Sequence, residues 1–84
     1  MCQVYILRST IRRWYYVGST NRLLERVSEH NNRKVPSTKH LVPLQLVFTK
    51  EFATEKEARA YEQKLKRKRR EKESIIRTIE SYNN

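Results

Sequence analysis

The sequence predicts an α+β fold: a small three-stranded antiparallel sheet flanked by helices, in the order β-β-α-β-α-α. Three observations predict it. Two short segments rich in β-branched and aromatic residues, Val4-Tyr5-Ile6-Leu7 and Tyr15-Tyr16-Val17, stand a hairpin apart. The apolar period then changes from 2 to 3.6 at Leu23. A capping box, Thr54-Glu55-Lys56-Glu57, opens a second helical pattern beyond a further strand.

The first strand runs from Cys2 to Leu7. Val4 and Ile6 point one way, Tyr5 and Leu7 the other, so both faces are apolar and the strand is central. The second runs from Trp14 to Gly18. Ser9 to Arg13 must turn without a Gly or Asn to mark a tight turn. A turn centred on Thr10-Ile11 sets Tyr5 directly opposite Tyr16, on one face. Ser19-Thr20-Asn21 supplies capping side chains for a helix ending near Asn31, with Leu23, Leu24 and Val27 as its buried stripe. Arg26 and His30 fall one turn apart at the margin of that stripe.

Residues from Asn32 to Pro43 read as a loop. A third strand, Leu44 to Thr49, carries Leu44, Leu46 and Phe48 on one face. The second helix runs from Thr54 to about Arg67, with Ala58, Tyr61, Glu62 and Leu65 at i, i+3, i+4, i+7. The apolar period lapses from Lys66 to Ser74, a break or an exposed basic stretch. It resumes at Ile75, Ile76 and Ile79 for a third helix ending near Ser81.

The chain has 84 residues, enough to bury one small core, so residues 1–84 read as a single domain. Nineteen Lys and Arg against 9 Asp and Glu give a net charge of +10. So basic a chain seeks polyanions, nucleic acid first. An anionic membrane surface is the alternative, and the basic segment lacks the aromatic face it would need. No apolar run is long enough to span a bilayer. Met1-Cys2-Gln3-Val4 lacks the features of a secretory signal, and the lone cysteine, Cys2, has no internal disulfide partner. Together these point to the cytosol. Two isolated histidines and one cysteine argue against a zinc site.

The residues that carry chemistry are few. Tyr5 and Tyr16 share a face, Arg26 and His30 lean toward it, and Glu62 is a carboxylate set within an apolar stripe, where it needs compensation. Each has a bland reading: core aromatics for the tyrosines, a salt bridge to Glu29 for Arg26, helix capping for His30, pairing with Lys66 for Glu62. Tyr15, on the opposite face, keeps the bland reading, as does Cys2.

Taken in order, Val4-Tyr5, Tyr16-Val17-Gly18, Arg26, His30-Asn31 and Glu62 resemble the motifs of the GIY-YIG endonuclease family, and in particular its small single-domain bacterial members. The resemblance covers nearly the whole chain. Gln3 stands where the first motif has its glycine, a position at which small members often vary. The resemblance implies a metal-dependent endonuclease acting on DNA, with catalytic Tyr5, Tyr16, Arg26, His30 and Glu62. A single carboxylate, Glu62, would hold Mg²⁺ or Mn²⁺, since magnesium keeps several waters and phosphate oxygens in its shell. Arg26 would grip phosphate oxygens, and His30 would shuttle a proton or bind the attacking water. One tyrosine would activate water while the other positions the phosphate. Asn31 would end the helix and brace the site.

Lys64, Lys66, Arg67, Lys68, Arg69 and Arg70 are expected to be solvated and to track a nucleic-acid backbone, with His40 as a further phosphate contact. Arg12, Arg13, Arg33 and Lys34 are also expected in solvent. Specificity would depend on the basic segment, a partner protein or oligomerisation. The competing function is a nucleic-acid-binding module that keeps the scaffold without turnover.

Overall fold

The computed structural model describes residues 1–82; the side chains of Arg69 and Tyr82 lie outside that description. Its elements are β1 (Cys2–Ser9), β2 (Tyr15–Thr20), α1 (Leu23–Asn31), β3 (Leu44–Phe52), α2 (Glu55–Arg67) and α3 (Arg69–Tyr82). The order β-β-α-β-α-α and the α+β class are as the sequence predicts. The sheet runs β2-β1-β3, antiparallel throughout, with β1 in the centre. Among the described residues no helix is long and apolar enough to cross a membrane.

Apolar side chains on both faces of β1 make two cores. Val4 and Ile6 pack with Val17, Ala58 and Leu65 on the α2 side. Tyr5 and Leu7 pack with Leu41, Leu44, Leu23 and Val27 on the α1 side. Val4, Tyr5, Ile6 and Leu7 are all buried, and each such side chain contributes about 1.5–3 kcal/mol. Cys2 is buried at the strand end, as expected.

The hairpin register differs from the expected one. Tyr5 faces Gly18, and Tyr16 faces Leu7. The cause is Ser9, which extends β1 and organises the loop. Its amide donates to Trp14 O at 3.0 Å. Its hydroxyl accepts from the amides of Ile11 and Arg12 at 3.3 and 3.2 Å and donates to Leu41 O at 2.7 Å. The resulting shift is even, so it preserves which side chains share a face. Tyr5 and Tyr16 are therefore diagonal neighbours, with ring centroids 6.1 Å apart.

In β3 a bulge separates Phe48, opposite Ile6, from Leu46, opposite Leu7. One extra residue exchanges the two faces beyond it. Leu44 thus joins the Tyr5 side while Phe48 packs on the Val4 side, so the expected common face of Leu44, Leu46 and Phe48 is corrected.

Leu24 also departs from expectation. It is 84% exposed, and Leu23 and Val27 alone carry the apolar face of α1. No side chain caps this helix. Instead Thr20 Oγ1 accepts from the Arg22 amide at 2.9 Å and sets the preceding turn.

Thr54 caps α2 as expected, its Oγ1 accepting from the Glu57 amide at 3.2 Å, while the Glu57 carboxylate accepts from the Thr54 hydroxyl at 3.0 Å. The break between α2 and α3 is confined to Lys68, held at φ −96° and ψ 90°. The basic stretch beyond it is helical, because a solvated helix needs no apolar period.

Asn31 closes the α1 side. Its Nδ2 donates to Leu44 O at 3.0 Å, and its Oδ1 accepts from the Leu44 amide at 2.7 Å. Asn31→Ala leaves both groups of a buried residue unpaired and should cost about 2 kcal/mol, or roughly 10 °C in Tm. Asn32→Ala, on the exposed side, should stay within about 0.5 kcal/mol. Thermal and urea unfolding of the two variants checks this; equal losses would refute the brace.

Candidate active site

Gly18 is the only glycine of the chain, and it lies opposite Tyr5 on the edge strand. A Cβ there would stand 2.6 Å from the Tyr5 hydroxyl oxygen, 2.7 Å from Tyr5 Cζ and 3.0 Å from Tyr16 Cε1. The residue is glycine because an aromatic ring crosses its backbone closely. This crossing carries the Tyr5 phenol toward the free edge of β2.

Three rings gather there. Tyr16 and His30 stand 4.8 Å apart between centroids, and Tyr5 and His30 6.0 Å apart, near edge-to-face. Tyr5 Oη lies 3.1 Å from His30 Nε2, and His30 Nδ1 lies 2.8 Å from Thr38 Oγ1. Tyr5, His30 and Thr38 are essentially closed to solvent. Burial pushes the Tyr5 phenol up to about 12, helped by Tyr16 and by the charge of Glu62; the Arg26 guanidinium opposes the shift. Burial also pushes His30 down, with Arg26 adding to it and Glu29 opposing. At neutral pH the pair is a phenol and a neutral imidazole, one ring nitrogen donating and the other accepting.

Arg26 reaches the cluster from α1. Its Nη1 lies 3.5 Å from Glu29 Oε1, the simple salt bridge, and its positive charge also acts on the Tyr5 phenol. Glu29 Oε1 is buried and has no hydrogen-bond partner, so charge alone holds it.

Glu62 arrives from the other side of the sheet. Its Oε1 accepts from Ser19 Oγ at 2.6 Å and its Oε2 from Lys66 Nζ at 2.7 Å. The side chain is 18% exposed. Ser19 follows Gly18 on β2, so the carboxylate meets the edge strand beside the tyrosines, and Tyr5 feels its charge. Tyr5, Tyr16, Arg26 and His30 thus gather on the α1 side, with Glu62 joining them across the edge. A cleft of about 250 Å³ adjoins them, lined in part by Ser19, Thr20, Arg22, Arg26 and Arg59. Of the cluster only Arg26 lines it; Tyr5, Tyr16, His30 and Glu62 do not. Tyr5 is 1% exposed, whereas Tyr16 is half-buried.

The remaining expected residues stand apart. His40 is exposed in the loop. Lys64, Lys66, Arg67, Lys68 and Arg70 are exposed, Lys64 pairing with Glu71 at 3.2 Å and Lys66 with Glu62. Arg69 falls outside the described side chains. Tyr15 lies away from the cluster and donates to Glu80 Oε1 at 2.8 Å, tying the hairpin to α3.

Ser19 and Thr38 escaped the sequence reading. Strand alternation could have placed Ser19 on the α2 face. Nothing local marks Thr38, which reaches His30 only because the loop folds back. Among the described residues no cluster of three or more His, Cys, Asp or Glu could hold a metal.

Two outcomes follow from this geometry. The unfolded chain takes up a proton on histidine near pH 6.5, above the folded pKa of His30. Stability present above pH 6.5 should therefore be lost as pH falls. Tm measured from pH 8 to 5.5 should drop for the native chain, and His30→Gln should remove that component. Gly18→Ala forces Tyr5 or β2 to move. It should destabilise by about 1–3 kcal/mol and alter the near-UV tyrosine dichroism, and an unaltered spectrum would contradict the close crossing.

Comparisons with known proteins place the chain in a family. The family model for the GIY-YIG catalytic domain matches residues 1–74. "UPF0213 protein YazA" of Bacillus subtilis (strain 168) is 38% identical over 71 residues, 80% of this chain and 71% of that protein. A "UPF0213 protein" of Streptococcus pneumoniae serotype 4 (strain ATCC BAA-334 / TIGR4) is 36% identical over 64 residues, 74% of this chain and 65% of its own length. No solved structure matches significantly. The family match runs from β1 into α3, through every residue of the cluster, and on that ground the chain belongs to the GIY-YIG family.

Proposed function

We propose that this protein is a metal-dependent endonuclease that hydrolyses DNA phosphodiester bonds, structure-specific or repair-related in its use. The observation that carries the reading is the gathering of Tyr5, Tyr16 and His30, with Arg26, on one side of the Gly18–Ser19 edge while Glu62 bonds Ser19 from the other. Membership in a nuclease family supports it, and nucleases of this family usually use divalent metals.

The chain's own groups divide the work. Arg26 grips phosphoryl oxygens and stabilises the charge that develops on them. Burial holds Tyr5 as a phenol, bonded to His30 and closed to solvent, so it acts as a positioning residue behind the reacting groups. His30 is likewise a positioning residue, since burial keeps it from the attacking water. Tyr16, half-buried on the same face, is left to orient that water.

The donor chemistry at Glu62 fits a hard cation with one protein carboxylate. Ser19 orients the carboxylate through Oε1, and Lys66 must release Oε2 for a cation to share it. Bound there, Mg²⁺ or Mn²⁺ would neutralise phosphoryl charge and ease departure of the 3′ oxygen. The basic segment Lys64, Arg67, Arg69 and Arg70, with His40, would hold flanking backbone. A partner protein would add the specificity so small a chain lacks.

A second reading, a nucleic-acid-binding module without turnover, is favoured by one observation: Lys66 already pairs with Glu62. Incubation with duplex, flap, branched and single-stranded DNA, with Mg²⁺, with Mn²⁺ and with chelator, separates the two. Cleavage should require the metal. Glu62→Gln and Arg26→Ala should each reduce it by about 10²-fold or more while Tm holds. Full activity in either folded variant removes that residue from the mechanism, and no metal-dependent cleavage of any substrate leaves the binding module.

A further inference from the structure

The opposite end of the β1–β2 hairpin carries a second basic surface. A cavity of about 670 Å³ opens there, bounded by Arg8, Arg12, Arg13, Ile11, Gln45 and Glu80 with the Ser9-Thr10 corner. Three guanidinium groups face one acid. Glu80 is already engaged, its Oε1 by the Tyr15 hydroxyl at 2.8 Å and its Oε2 by Arg13 Nη2 at 3.6 Å. Arg13 is nonetheless 85% exposed, and Arg12 is exposed too. The charges of Arg8 and Arg13 both reach the Tyr15 phenol. Like charges drawn round a concavity repel one another and focus a positive field into it.

The loop that holds these arginines is anchored. Thr10 donates through its amide and its hydroxyl to Pro43 O, both at 3.0 Å. Ser9 Oγ donates to Leu41 O at 2.7 Å. The guanidinium groups therefore stand on a backbone pinned to the neighbouring loop. Such a preorganised pair of forks suits the oxygens of a phosphodiester.

We infer that this cavity is a backbone-binding exosite for the nucleic acid whose cleavage is proposed above, a reading on which the inference rests. From Gly18 to Tyr15, where β2 begins, the edge strand covers about 10 Å at roughly 3.3 Å per residue, and Arg13 lies beyond it in the bend. One DNA strand advances about 3.4 Å per nucleotide. The exosite therefore meets a phosphate about three or more nucleotides from the one at the tyrosines. It holds backbone without reading bases, and it is separate from the basic segment of α2 and α3.

Arg12→Gln/Arg13→Gln tests this, with Arg8→Gln added as a triple variant. Arg33→Gln/Lys34→Gln is the control, removing the same charge from another exposed turn. Affinity for a duplex of about 20 base pairs is measured by fluorescence anisotropy in chelator across a salt series. The length suffices to span the distance above at about 3.4 Å per base pair. The double variant should weaken binding about tenfold and flatten the log-log salt slope by about 1.8, the yield of two phosphate contacts, and the triple variant by about 2.7. The control should change binding about twofold or less.

DNA should also change the emission of Trp14, the sole tryptophan, which adjoins Arg13 in sequence. Equal losses in the hairpin and control variants would reduce the effect to net charge and overturn the exosite, as would unchanged binding. Equally tight binding to phosphatidylserine vesicles, lost in parallel, would assign the surface to membranes instead. Because no cleavage is needed, the two readings fail separately. Exosite binding by a chain that cuts nothing refutes only the nuclease. Metal-dependent cutting that is indifferent to the arginine pair refutes only the exosite.

Discussion

The close crossing of the Tyr5 ring over the Gly18 backbone is the constraint on which the rest of the site depends. A phenol on the central strand would ordinarily end inside the core beneath its neighbour. Here the edge strand has no side chain at the crossing point, so the hydroxyl comes within 2.6 Å of where a Cβ would stand. That position puts the Tyr5 phenol within reach of His30 on one side of the edge and within the field of Glu62 from the other. A larger residue at 18 would separate the two halves of the cluster.

Burial then sets the chemistry. Tyr5 and His30 are held in their neutral forms by desolvation, and each charged neighbour modifies that state by its sign. Arg26 favours phenolate and disfavours imidazolium, so one guanidinium biases both groups toward losing protons. Glu62, on the wetter side, is satisfied differently. A serine and a lysine take one carboxylate oxygen each. The Tyr5–His30–Thr38 chain is thus buried and neutral, while Arg26 with Glu29 and Glu62 with Lys66 carry charge around it.

The scaffold supports this division with few polar ties. Asn31 binds both backbone groups of Leu44 and fixes where β3 leaves the loop relative to α1. Ser9 does the same for the hairpin through the loop at Leu41. Tyr15 carries the hairpin to α3 through Glu80. These contacts hold α1 and α2 on opposite faces of one sheet, which lets side chains from both meet at its edge.

Much of this was legible in the chain alone. Alternation in Val4-Tyr5-Ile6-Leu7 marked a central strand, the Thr54 capping box marked the start of α2, and a carboxylate within an apolar stripe drew attention to Glu62. These are local signals, carried by periods of 2 and 3.6 and by caps a few residues long. The exact strand pairing was not legible, because Ser9 sets it through bonds to a loop distant in sequence. Nor was the bulge that turns Phe48 away from Leu44, nor the exposure of Leu24, since periodicity gives a face and not its width. Thr38 behind His30, Ser19 beneath Glu62 and the arginine-lined cavity at the hairpin all join residues far apart along the chain. The sequence by itself determined the order of elements and which side chains could do chemistry. Only the tertiary structure decided which of them touch, because those contacts depend on register and on how a loop folds back, and no local period encodes either.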